Sequence, residues 1–166
     1  MATSPADVRI SIADFSQHRD CQALRQLMQQ YATDPMGGGK PIAAAILAEL
    51  PTQLFGYAGA FTVIAWLGEE PVGLVNCFAT LSTFKGKPLV NIHDVIVSSD
   101  RRGLGITPKM LARVEAIARQ RQCCKLTLEV LEGNQRAREV YQAFGFEGYE
   151  LDAQFGQAQF WEKPLI

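Results

Sequence analysis

The stretch RRGLGITPKM, Arg101 to Met110, decides the fold. Two arginines run into Gly-Leu-Gly, and a proline follows where a helical pattern begins. Met110, Leu111, Val114, Ile117 and Ala118 recur on one helical face, which predicts an amphipathic helix packed on a sheet. Pro108 suits the first turn of that helix, where a missing N–H costs nothing. Upstream, PLVNIHDVIV (Pro88 to Val97) is rich in β-branched residues and reads as a strand. Downstream, LTLEVL (Leu126 to Leu131) reads as another. Strand, helix and strand in that order form a crossover, so these two strands should lie parallel.

Working outward, VRISI (Val8 to Ile12) alternates apolar and polar residues like a half-buried strand. Leu24, Leu27, Met28 and Tyr31 mark a helix from Asp20 to Tyr31, which DPMGGGKP breaks into a flexible loop. A second helix is expected over Ile42 to Leu54, ended early by Pro51. FTVIAW (Phe61 to Trp66) and PVGLVNCF (Pro71 to Phe78) form a hairpin across LGEE. Past Leu131, Asn134 caps a helix, NQRAREVYQAF, that stops at Gly145. Closing strands are expected around Glu147 to Leu151 and Gln159 to Pro164. The sum is a mixed α/β fold, with a central sheet of about six to seven strands, the fourth and fifth parallel, and about four flanking helices.

The chain has 166 residues, 48% of them hydrophobic, enough to bury one core as a single domain over 1–166. Its net charge of −1 gives no basic stripe for nucleic acid. The apolar stretch LFGYAGAFTVIAWLG is too short to span a bilayer, which needs about 20 residues. MATSPADVRISIADF lacks the basic start and apolar run of a secretion signal, so a soluble, cytoplasmic protein is expected. Four cysteines without a CxxC pair read as reduced thiols, and two distant histidines offer no metal site.

A helix N-terminus carries unpaired N–H groups and partial positive charge, and glycines before it let an anion approach. RRGLGIT therefore reads as a phosphate cradle, to which Arg101 or Arg102 would add charge-assisted bonds. A tight strand-to-helix turn would need glycine as well. No Walker run occurs, and Pro108 stands where a dinucleotide fingerprint needs its third glycine.

VIVSSDRRGLGIT resembles the acyl-CoA-binding signature of the GNAT superfamily of N-acetyltransferases: Gln or Arg, two residues, Gly, one residue, Gly or Ala. Arg102, Gly105 and Thr107 take the three fixed places, and Thr107 departs from the pattern. LTLEVLEGNQRAREVYQAFGFEGYEL resembles the strand and helix that follow in that family, with Asn134, Ala137, Tyr141 and Gly145-Phe146 in register. The resemblance implies a GNAT-type fold and direct attack of an amine on acetyl-CoA, with no acyl-enzyme. Pyrophosphate would lie on the backbone from Arg102 through Gly103, Leu104, Gly105 and Ile106 to Thr107. Pantetheine would run along Val95, Ile96 and Val97, where the family has a strand bulge. Asn134 would contact the cofactor as well as cap its helix.

The resemblance makes Tyr141 the acid that protonates the leaving thiolate. The same residue also fits a core position, beside Ala137, Val140 and Phe144. The base is sought at His93 or Asp94, which strand alternation sends to opposite faces unless a bulge intervenes. An imidazole, with a reference pKa of ~6.5, suits a base near neutrality. That makes His93 the base and Asp94 a partner or an ammonium-binding group, although both also fit structural roles. Acceptor specificity is expected in Asp20 to Leu54 and in STFKGKP, with Phe84 a further candidate. A small-molecule amine is expected as acceptor, with no metal, nucleic acid or membrane partner and room for a homodimer. The alternatives are a non-catalytic acyl-CoA sensor and a transferase of longer acyl chains.

Overall fold

The computed structural model describes residues 7–149, 152, 154, 156 and 158–165. Five strands are present among them, β1 (Val8–Ile12), β2 (Ala60–Leu67), β3 (Glu70–Ser82), β4 (Lys87–Val97) and β5 (Leu126–Leu128). The helices are α1 (His18–Thr33), α2 (Ala44–Gly56), α3 (Ile106–Gln120) and α4 (Gln135–Phe144). The strands lie in the order β1-β2-β3-β4-β5. The first three pairings are antiparallel and β4–β5 is parallel, as the crossover requires. The chain falls into two compact units, Met1–Leu128 and Glu129–Ile166. The sheet and α1 to α3 belong to the first, α4 to the second.

Alternation along β2 and β3 splits the core of the first unit into two layers. Ile64, Trp66, Leu74 and Ile96 pack with Ala23, Leu24 and Leu27 of α1, while Leu50 and Leu54 of α2 join the margin. Val63, Ala65 and Val75 alternate to the opposite face, where α3 packs, and are fully buried. The five residues that define the apolar stripe of α3, from Met110 to Ala118, are all buried.

Several expectations are corrected. The sheet has five strands among the described residues, not six or seven. Residues 147–149 and 158–165 are not strand, and Phe160, Trp161 and Leu165 are largely exposed. Residues 150 and 151 of the first closing strand lie outside the described residues. Strand β5 ends at Leu128 rather than Leu131, because the chain then turns toward α4, with the Asn134 N–H donating to the Leu131 carbonyl at 2.9 Å.

Pro51 does not end α2; it sits buried inside it. Proline has no N–H for the carbonyl four residues back, which strands Leu47 O. Arg25 of α1 fills the gap, its Nε donating to Leu47 O at 3.1 Å and its Nη2 to Ala48 O at 2.9 Å. The DPMGGGK segment is likewise folded back on α1 rather than left as an open loop. The Gly37 and Gly39 N–H groups donate to Asp34 O, and the Lys40 N–H donates to Ala32 O. Gly37 is obligatory there, since a Cβ would fall 1.9 Å from the Tyr31 carbonyl oxygen.

Candidate functional site

Strand β4 changes character halfway along. Val90, Asn91 and Ile92 are paired on both sides, to β3 and, through Leu126, Thr127 and Leu128, to β5. Among the described residues, the ladder beyond Ile92 continues only on the β3 side. The register shifts at this point: Ile92 faces Cys77 and Asp94 faces Asn76, so His93 is an extra residue with no partner. Two hydrogen bonds reveal what this bulge does. The Val90 N–H donates to Lys125 O on the β5 side, whereas the Ser98 N–H, of the same parity, donates to Val72 O on the β3 side. A regular strand would aim both at one edge; the bulge reverses the alternation. The peptide groups of Val95 and Val97 consequently face the open edge, while Ile96 sends its side chain into the α1 core.

The bulge also answers which face His93 and Asp94 occupy. Asp94 accepts a hydrogen bond from Asn76 Nδ2 at 2.9 Å, and His93 lies edge-to-face on Phe78 at 5.5 Å. Asn76 and Phe78 are two apart on β3 and share a face, so His93 and Asp94 share it too. Behind Asp94 runs a polar chain. Thr62 Oγ1 donates to Asn76 Oδ1 at 2.7 Å, which fixes the amide with its nitrogen toward the carboxylate. Thr62 and Asn76 are buried, Asp94 is half-buried and His93 is exposed. The Tyr31 hydroxyl is pushed above its ordinary pKa by burial first, then by the charges of Asp94 and Asp34. Cys77, buried behind the bulge, has its thiol pushed far up by desolvation and is inert at neutral pH.

The glycine turn follows directly. Gly103 and Gly105 have φ of 87° and 69°, the left-handed region that glycine tolerates, and Gly105 is the N-cap of α3. A Cβ built on Gly105 meets nothing within 4 Å, so the space above the turn is open to an anion. Thr107 is the second residue of α3 and has no positive φ, so its side chain does not strain the turn. The arginines are less available than their sequence suggests. Arg101 pairs with Glu70 and Asp100, and Arg102 pairs with Asp34 and donates from Nε to Val97 O at 3.2 Å. Arg102 thereby holds Asp34 well below its usual carboxylate pKa, helped by the Met36 N–H. What the turn offers an anion is chiefly backbone.

Phe84 is fully exposed at the tip of the β3–β4 hairpin, beyond the last pair Ser82–Lys87, whereas the bulge lies further along the ladder at Asn76 and Cys77. In the second unit, Asn134 is the N-cap of α4, its Oδ1 accepting the Ala137 N–H at 3.3 Å. Tyr141 is buried there and meets Phe146 edge-on at 6.0 Å. Asn76, Thr62 and the Asp34–Arg102 pair escaped sequence reasoning. The one available signal was Asn76 itself, a lone amide in the apolar run VGLVNCF.

Over residues 22–146 the sequence matches the model of one known family, described as the acetyltransferase (GNAT) family. The chain belongs to the GNAT acetyltransferase family. The matched span holds His93, Asp94, the glycine turn, Asn134 and Tyr141. A thialysine N-epsilon-acetyltransferase of Bos taurus is 35% identical over 78 residues, 47% of this chain and 45% of that protein. The match thus spans about half the length of that relative. Among solved structures, an aminoglycoside acetyltransferase from an uncultured soil metagenomic sample, in complex with sisomicin, superposes with a TM-score of 0.77. It is 14% identical, over 96% of this chain and 97% of that one. An aminoglycoside N-acetyltransferase in complex with CoA gives 0.72 at 18% identity, with 94% of each chain covered. At such identities the likeness speaks to the fold alone. Among the described residues no helix is long and apolar enough to cross a membrane.

Proposed function

We propose that this GNAT protein is an acetyl-CoA-dependent N-acetyltransferase acting as one domain on a primary amine of a small molecule. The observation that carries the proposal is the bulge at His93, which opens the β4 edge next to the glycine turn and gathers His93 and Asp94 on one face. The peptide groups of Val95 and Val97 suit an extended pantetheine arm, which would add to the edge as a strand does. Backbone N–H groups from Arg102 to Thr107, at the mouth of α3, suit the pyrophosphate.

The chemistry is proton traffic around one substitution. The acceptor arrives as an ammonium ion, with a reference pKa of ~10 if lysine-like, and must lose a proton to attack. His93 takes that proton, and Asp94 holds the ammonium beside it. The new C–N bond replaces the thioester C–S bond. A strand N–H at the bulge stabilises the developing oxyanion. As the intermediate collapses the nitrogen gives up its second proton, the departing thiolate leaves as the thiol by taking up one proton, and Tyr141 hydrogen-bonds the sulfur during that exchange. A phenol (~10) is a weaker acid than a thiol (~8.5), so Tyr141 assists mainly by hydrogen bonding.

Calorimetric titration with acetyl-CoA, CoA and ATP, followed by thiol release with primary amines, tests this. Selective binding of the two CoA species and amine-dependent thiol release are expected, with Gly105→Val losing the binding. Binding without release under any amine would leave an acyl-CoA sensor, and absence of both would end the proposal.

A further inference from the structure

We infer that the acceptor is a primary amine with a single ammonium group on a flat apolar body, an arylalkylamine in chemical class, seated with its ammonium on Asp94 and its ring against Phe78 and Tyr57. The inference rests on the acetyltransferase proposal above and narrows its substrate.

Asp94 carries the first half. It is half-buried, and among the described residues it forms no ion pair. Its Oδ2 is held by Asn76, itself locked by Thr62, while Oδ1 accepts no hydrogen bond among the described residues. A carboxylate partly withdrawn from water without a cation is costly, and an incoming ammonium removes that cost. The polar chain behind it aims the charge without neutralising it.

The aromatic side chains carry the second half. Tyr57, at the end of α2, meets Phe78 edge-on at 5.5 Å and 84°, and Phe78 meets His93 at the same distance and angle. Tyr57 is 63% exposed, so this wall is not core. Aromatic faces and edges accept an aryl ring at centroid separations of this size, and they also favour a nearby cation.

The surroundings decide how many charges the acceptor carries. A polyamine or aminoglycoside would bring several ammonium groups and would need several carboxylates. Of the other acids of α1, α2 and their connection, one is neutralised by a cation and two are held by neutral donors close to them in sequence. Asp34 is bound by Arg102, Asp20 accepts the Asp14 N–H at 2.8 Å, and Glu49 takes Gln53 at 3.5 Å on an exposed face of α2. Asp94 is left as the carboxylate beside the aromatic wall.

The test is a competition among amines at saturating acetyl-CoA, read by thiol release, with 2-phenylethylamine, thialysine, spermidine and tobramycin. We expect 2-phenylethylamine to have the highest kcat/KM. Asp94→Asn should raise its KM by about 10- to 100-fold, the worth of one charge-assisted hydrogen bond, while acetyl-CoA binds as before. Tyr57→Ala should raise the KM for 2-phenylethylamine by a larger factor than that for spermidine. Preference for spermidine, tobramycin or thialysine, or an unmoved KM in Asp94→Asn, overturns the inference and leaves the transferase proposal standing. If no amine is acetylated, calorimetric titration of 2-phenylethylamine into the full chain still decides it. Binding that Asp94→Asn abolishes upholds the site, and no binding to the wild type refutes it. Loss of acetyl-CoA binding alone would count against the proposed function instead.

Discussion

The two halves of β4 share a strand and a β3 neighbour, yet they differ in nearly everything that matters for chemistry. From Val90 to Ile92 the backbone is paired on both edges, and Val90 and Ile92 are buried. From His93 to Val97 the strand has no partner on the β5 edge among the described residues. An imidazole and a carboxylate point the same way with a polar chain behind the carboxylate, and only Ile96 is buried in the core. One inserted residue separates them. The closed half is buried core, and the open half carries the groups that the proposed transfer would use.

The largest effect should come from removing that separation. Deleting His93 restores ordinary alternation and sends the groups beyond it to the wrong faces and edges. We expect loss of measurable turnover with far-UV circular dichroism close to wild type; retained turnover would mean the bulge is incidental. Ile92→Ala attacks the closed half instead. It should cost about 2–5 kcal/mol of stability in urea titration, as for other large-to-small core changes, while turnover per folded molecule holds. If turnover fell with stability, the halves would not be separable.

His93→Ala tests the open half without disturbing the register. Turnover should fall about 10²- to 10⁴-fold, the usual worth of a general base, and the acid limb of the pH–rate profile should flatten. Survival of that limb would assign the base elsewhere.

The smallest effect concerns Asp34. Its carboxylate is held low chiefly by Arg102. A depressed carboxylate contributes stability that is present above its unfolded pKa and lost as pH falls through the folded one. The pair is partly exposed, so Asp34→Asn should cost under about 1 kcal/mol at pH 7. The gap to wild type should close only below about pH 4, the ordinary carboxylate range. A gap that persists in acid would mean that the amide disturbs the turn itself, where Asp34 also accepts the Met36 N–H.

Much was legible in the chain because it is local. The stripe of α3 repeats every third or fourth residue, and burial follows from that period alone. Asn134 needs only the N–H three residues ahead to act as a cap. Gly103 and Gly105 sit where a left-handed backbone must turn into a helix. Wherever a distant residue intervenes, local rules misled. Pro51 breaks helices by local chemistry, but Arg25, far away in sequence, supplies the missing donors. Arg102 looks free beside two glycines, but Asp34 claims it across the fold. The expected closing strands are not strand over their described residues.

By itself, then, the sequence determined the order of elements, the parallel crossover, the cap and the glycine turn, all set by steric and hydrogen-bonding demands within a few residues. The tertiary structure alone decided that His93 stands outside the ladder, that it shares a face with Asp94, and that Asn76 aims the carboxylate. Those outcomes depend on register between strands, and register is fixed by contacts between residues that the chain keeps far apart.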